Sequence, residues 1–398
     1  MNILSFLAEA SAPKSLWVTL INWIQSGVGN LGWTIILVTL IIKLVTTPLE
    51  FWVKFNTKKQ TLIQQKCAPQ VAKLQKKFGN DRTSLNAQSQ ALYKREGLDM
   101  RSGCIVMLIN TVLSLVIFIT FYNDLNKVSA YEAINQYEQI ESTYTSSYTQ
   151  AFIDYDSSDN FKTEEDVKNW FNTYNEMQDG ALKDAEYDSK KSYIEHATNV
   201  ASKSAIDNWN ANKKRSSWLW IQNIWVADST AKAFPTYANL QSIAKNSGYG
   251  DYVAENIQQA DYDKIANLIA SNTERQNNGY YILPILAGLV TFLAQYISEL
   301  HTKLKNKKAN TVAKAASAEM GSTMKVMKIV LPIIMVVFTL SASASFGMYI
   351  LASNVATIAL GELSSLIINV LTKKKQLEVE ESLEKEANRL IRKGKLKG

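Results

Sequence analysis

Gly32-Trp33-Thr34-Ile35-Ile36-Leu37-Val38-Thr39-Leu40-Ile41-Ile42-Lys43-Leu44-Val45-Thr46-Thr47-Pro48-Leu49 is apolar for most of its length and carries one charge, near its centre. About 20 such residues cross roughly 30 Å of hydrocarbon as a helix, so the stretch reads as a transmembrane span with a lysine deep inside it. Working outward, four more runs share this character, at about 104–122, 280–298, 329–346 and 348–371. Five spans predict an all-α polytopic membrane protein. Composition alone hides this, because the very polar connections bring the 398 residues to an ordinary 46% hydrophobic and 20% charged.

Charge gives an independent line of argument. Residues 54–101 carry eleven Lys and Arg against three Asp and Glu, residues 299–328 seven against two, and residues 373–398 nine against five. Residues 125–279 reverse the balance, fourteen against twenty-two. Lys and Arg are enriched in cytoplasmic loops beside spans, so the three basic segments belong inside. With five spans the N-terminus and the acidic segment then lie outside and the C-terminus inside. The net charge of +7 is a topology signal, and no DNA partner is expected.

Two Cys and two His exclude a disulfide framework and leave little for zinc or triad chemistry. Gly27-Val28-Gly29-Asn30-Leu31-Gly32 matches GxGxxG, but no strand precedes it and a span follows, so it is not a dinucleotide site. There is no P-loop, HExxH or GxSxG motif and no intramembrane Asp pair. Cys67 and Cys104 lie on the reducing side with no His in their own segments. No catalytic residue, metal or cofactor is expected.

The segments are then an N-terminal amphipathic interfacial stretch at 1–30, span one at 31–53, a cytoplasmic helical hairpin at 54–101 and span two at 102–123. An extracytoplasmic insert at 124–279 is followed by span three at 280–298, a cytoplasmic loop at 299–328, spans four and five at 329–346 and 347–372, and a basic tail at 373–398. Ala8-Glu9-Ala10 has the look of a cleavage site, but the apolar run before it is too short for a signal peptide. Leu16, Leu20, Trp23 and Ile24, with Trp17 alongside, predict a helix over 14–26 that lies in the outer interface or is buried as an anchor. In the hairpin, one helix runs to about Phe78, Gly79-Asn80-Asp81 turns the chain, and a second ends near Lys94-Arg95 before Gly97. In the insert, Thr163 with Asp166 predicts an N-cap pair ahead of a face of Val167, Trp170, Phe171 and Tyr174; Tyr137, Tyr144 and Tyr148 make a second apolar stripe. Trp218, Trp220 and Trp225 suit a membrane interface.

Several polar residues sit where lipid should be. Lys43 is about 15 Å from either end of its span, too far to reach water easily, and a central lysine costs on the order of 2.5–3.5 kcal/mol on insertion scales. Thr39 and Thr47, and less closely Thr46 and Glu50, fall on its side of the helix. Other spans carry Asn110, Thr111 and Ser114; Thr291 and Gln295; and Ser353, Asn354 and Thr357. Most of these can simply bond neighbouring helices. Lys43 cannot, since the one acidic residue deep in another span is Glu362, so a wet cavity with a cation in it is the sharper reading.

The order of these segments resembles the YidC/Oxa family of membrane protein insertases. The first span is similar to that family's first core helix, with Lys43 at the position of its groove arginine. The hairpin residues Pro69, Lys77-Phe78, Asp81 and Leu92-Tyr93-Lys94, then Gly103-Cys104, follow the family's order. Trp218-Leu219-Trp220-Ile221, Tyr280-Tyr281-Ile282-Leu283-Pro284-Ile285-Leu286 with Gly288 and Gln295, and Tyr349 with Ser353-Asn354 resemble the run-in, the third helix and the last. There are departures: Lys43 for arginine, Met100 for proline, Asn110-Thr111-Val112 for a Gln and a helix-opening Pro, Ser343-Ala344-Ser345 for Pro-Ala-Gly, and Ile350 for Trp. Residues 125–217 and 229–279 have no visible counterpart, and the likeness is to the Gram-positive-like type without the large N-terminal periplasmic domain.

The resemblance implies a protein of the bacterial plasma membrane, a five-helix bundle around a hydrophilic groove open to cytoplasm and lipid and closed outside. Hydrophobic nascent membrane proteins would pass their short polar tails, often acidic, toward Lys43 and release their apolar segments into the bilayer, alone or with a Sec-type translocon. The groove residues would be Lys43, Thr39, Thr47, Asn110, Gln295 and Asn354. The hairpin, with Lys73, Lys76, Lys77, Arg82, Tyr93 and Lys94, would be a mobile lid, and the tail from Lys373-Lys374-Lys375 to Lys397, which also carries five Glu, either a ribosome contact or a plain solvated helix. The same polar faces leave open a small-anion transporter or channel, although the internal repeats common in transporters are absent.

Overall fold

A computed structural model describes residues 11–79, 81–98, 100–156, 160–177, 180–273, 275, 277–307 and 321–392. The expectations for Ala8-Glu9-Ala10, Asn80 and the end of the tail at 393–398 lie outside the described residues. The helices are α1 Leu16–Val28, α2 Leu31–Phe78, α3 Arg82–Arg95, α4 Met100–Asp154, α5 Glu164–Glu176 and α6 Ala181–Ser216. They continue as α7 Tyr237–Ser247, α8 Gly250–Asn256, α9 Gln259–Ser271, α10 Ile282–Lys307, α11 Gly321–Ser341 and α12 Ala344–Arg392. Among the described residues there is no strand beyond two isolated bridges. Three helical stretches, Leu31–Phe78, Ile105–Asp154 and Ala344–Lys385, are long and apolar enough to cross a membrane; Ile282–Ile297 and Ile329–Ser341 are shorter apolar helices. The chain is an all-α polytopic membrane protein. Its Ile-, Val- and Thr-rich spans are helical despite their β-branched content, because in hydrocarbon a single segment can satisfy its backbone only as a helix.

The chain forms two compact units. The first comprises Met1–Val38, Phe121–Pro284 and Phe338–Met348. Its core lies between α4 and α6, which run antiparallel: Arg215 bonds Glu132 at 3.0 Å and Asn208 bonds Thr143 at 2.9 Å. Tyr137, Tyr144 and Tyr148 are buried on α4, and Ala197, Ala201, Ala205 and Trp209 are buried on α6, so small residues on α6 leave room for the rings of α4. Thr163 and Asp166 make a capping box ahead of α5, whose Val167 is fully buried and whose Trp170 and Phe171 pack against Phe152. Helix α1 buries Val18, Ile21 and Ile24 and packs Trp17 edge-on to Phe121, while Leu16 and Trp23 stay 77% and 71% exposed. The stripe read from the sequence is therefore split between two faces, and α1 is both an anchor and an exposed apolar surface.

The segment between α6 and α7 closes on the start of α10. Asp228, buried, accepts from the backbone N–H groups of Tyr280 (2.7 Å) and Leu283 (2.6 Å) and from Trp220 Nε1 (3.1 Å). Asn278 donates to the carbonyls of Asn223, Val226 and Ala227 and accepts from Asn223 N. The Ser343-Ala344-Ser345 turn joins in, with Ala344 N bonding Val226 O and Ser345 N bonding Ile224 O. The interface reading of the tryptophans is corrected here: Trp218 and Trp225 are buried in protein and Trp220 is half-buried on Asp228. Trp218 lies so close to Gly32 that a Cβ there would sit 2.7 Å from the ring.

Glu141 is an electrostatic exception in this core. Burial pushes its carboxyl up to about 7; the neighbouring Tyr137 hydroxyl opposes the rise, and Asp261 and Glu138 add smaller contributions to it. A raised carboxylate favours the fold fully below its unfolded value of 4.5, and that stabilisation is lost as pH rises to about 7. Glu141→Gln is therefore expected to raise the melting temperature at pH 8, recovering on the order of 3 kcal/mol, and to do little at pH 5. Thermal unfolding of the detergent-solubilised protein at both pH values checks it; an equal shift at both would remove the titration argument.

The second unit comprises Thr39–Thr120, Ile285–Val337 and Tyr349–Gly398. After Phe78 the chain turns at Gly79 (φ 52), and Asp81 caps α3 by accepting from Ser84 N at 3.0 Å. Leu62, Cys67, Leu92 and Leu98 are buried in the hairpin, and Lys66 reaches Glu96 at 2.7 Å. That pair raises the Lys66 value through its hydrogen bond and charge attraction to Glu96, and lowers that of Glu96 chiefly through the same bond. Helix α10 meets α11 at Gly288, where a Cβ would lie 2.4 Å from Val336 Cγ2. Span five and the tail prove to be one helix, α12, continuing to Arg392.

Candidate functional site

Lys43 projects from α2 half-buried, and no hydrogen bond or ion pair reaches its ammonium from any described residue, Glu362 included. The hydroxyls beside it are already used. Thr47 Oγ1 donates to Lys43 O at 2.6 Å and Thr46 Oγ1 to the same carbonyl at 3.2 Å, just ahead of Pro48, which supplies no N–H to the ladder. Thr39 is fully buried, so its side chain is packed rather than open to a cavity.

A second polar group gathers on α10 and α12. Asn354 Nδ2 donates to Thr291 Oγ1 at 2.9 Å, and Thr291 Oγ1 donates to Ala287 O at 2.7 Å. One turn further along α10, Gln295 Nε2 is buried with no partner among the described residues. A buried amide donor without an acceptor costs about 1–3 kcal/mol, so it stands ready for a carbonyl or carboxylate. Asn110 is half-buried, while Thr111 and Ser114 on the same helix are exposed. Of the sequence-derived set, Lys43 is thus joined to Thr47, and Asn354 to Thr291; no described hydrogen bond links the two groups.

In the hairpin, Lys73, Lys76, Lys77, Arg82 and Lys94 are exposed. Tyr93 is half-buried, and burial, then the neighbouring Cys67, raises its hydroxyl's value. Sequence reasoning missed Asp228, Asn223 and Asn278, whose partners come from distant chain, and Lys54 with Gly361. For the last pair a signal was present, since Lys43, Thr47, Glu50 and Lys54 share one helical face.

The chain is thus a helical membrane protein whose Lys43, partway along a span, has no partner among the described residues. The profile of the family described as 60Kd inner membrane protein matches residues 23–160 and 204–369. Proteins named Membrane protein insertase YidC are similar to parts of the chain. That of Francisella tularensis subsp. novicida is 38% identical over 120 residues, 30% of this chain and 19% of the relative. That of Bordetella avium is 34% identical over 105 residues, 26% and 17%, and that of Thioalkalivibrio sulfidiphilus 31% over 121 residues, 30% and 19%. The chain thus spans under a fifth of the length of these relatives. No solved structure matches it. The chain belongs to the 60Kd inner membrane protein family, the YidC/Oxa family. The profile also runs through 125–160, 204–217 and 229–279, correcting the expectation that these had no counterpart, and leaves out 161–203, which hold α5 and the first part of α6.

Proposed function

We propose that this chain is a membrane protein insertase that accepts hydrophobic nascent chains in a positively charged intramembrane groove and releases them into lipid. The observation that carries the reading is family membership across residues 23–160 and 204–369. Lys43, without a counter-ion, and Gln295, with a donor to spare, support a groove that receives polar tails. Such a groove shortens the path of a polar tail through hydrocarbon and lowers the barrier without covalent chemistry or a cofactor. The exposed hairpin lysines and Lys373, Lys374 and Lys375 support contact with the ribosome, and the basic segments an orientation with the N-terminus out and C-terminus in. A Sec-type translocon is a further partner in this reading. Depleting the protein in its source cell is expected to leave short-tailed membrane proteins uninserted, measured by protease protection of their tails. Normal insertion after depletion, with anion uptake lost instead, would favour a transporter.

A further inference from the structure

Lys54 stands three helical turns beyond Lys43 on α2, roughly 16 Å along the same face, with Thr47 and Glu50 between them. It too is half-buried, and it too has no hydrogen bond or ion pair among the described residues. Its ammonium lies over Gly361 of α12, 2.9 Å from the point a Cβ would occupy. Any larger residue at 361 would push the ammonium away. Lys73, Lys76, Lys77 and Lys94 of the hairpin differ in kind: they are exposed, and charges in water are screened over about 8 Å.

We propose that Lys54 is a second cation of the substrate path, standing at its cytoplasmic mouth, that meets acidic groups of a client's tail before Lys43 does, with Gly361 as the positioning residue that makes room for it. This rests on the insertase reading above and names its preferred substrate class. An extended chain advances about 3.3 Å per residue, so the two ammonium groups match two carboxylates about five residues apart. Glu50 lies between them and disfavours a tail whose acidic group falls midway. A tail so spaced holds one cation while it reaches the next.

The test uses liposomes containing the full chain and three clients with one apolar segment: a neutral tail, a tail with one Asp, and a tail with two Asp five residues apart. Lys54→Ala is expected to lower insertion of the two-Asp client about fivefold relative to the neutral one, and Lys54→Arg to restore it. Gly361→Leu, which keeps the charge but displaces it, is expected to shift the same ratio part of the way. Raised salt should erode the wild-type advantage of the two-Asp client. An equal loss for all three clients, or an unmoved ratio, overturns the assignment of Lys54 and leaves the insertase reading standing. Failure of the wild type to insert any client overturns both.

Discussion

Lys43→Ala is expected to slow insertion of an acidic-tailed client about tenfold or more, while Lys43→Arg retains most of the activity. Tenfold corresponds to about 1.4 kcal/mol, well within the roughly 4 kcal/mol that a unit charge pair 4 Å apart is worth at an effective dielectric near 20. The site has the charge to supply this, because no described residue neutralises the Lys43 ammonium and its neighbouring threonines are turned to their own backbone. Reconstituted insertion of clients with acidic and with neutral tails reads the effect. Equal slowing of the two tails would show that Lys43 serves packing instead.

The second large effect is structural. Asp228→Ala removes the acceptor for Tyr280 N, Leu283 N and Trp220 Nε1 together, and is expected to destabilise the first unit by about 3–5 kcal/mol. Asp228→Asn keeps one acceptor oxygen and should fall in between. Gly279 offers an independent check: a Cβ there would collide with Asp228 Oδ1 at 1.8 Å, so Gly279→Ala should reproduce much of the loss with the carboxylate still present. Melting of the solubilised protein, followed by tryptophan fluorescence, reads all three. A Gly279→Ala variant as stable as the native protein would show that the loop gives way without harm.

Local signals proved legible where they have local causes. Gly79 and Gly97 take positive φ at the ends of the hairpin helices, and Thr163 with Asp166 closes its capping box within four residues of chain. Polarity misled where it marks the membrane boundary and not the helix boundary. Residues 105–154 contain neither Gly nor Pro, so nothing stops the helix at the polar Asn123 and Asp124, and span two runs on into the insert as α4. The tryptophans were misread for another reason. A Trp-rich stretch looks the same whether lipid or protein covers it, and only the fold brings Gly32 to Trp218 and Asp228 to Trp220. For the groove, residue types pointed to polar faces, but which hydroxyls remain free depends on backbone geometry, and Thr46 and Thr47 turned out to be spent on Lys43 O.

The unbroken α12 has a mechanical meaning. From Asn354, beside Thr291, to Arg392 it is one rod of about 57 Å at 1.5 Å per residue. A rod pivoting at Asn354 by about 10° would swing its far end by roughly 10 Å. Small adjustments around the Asn354–Thr291 pair are thereby magnified into movements the size of a side-chain layer at the last turn of the helix, which makes the rod a lever.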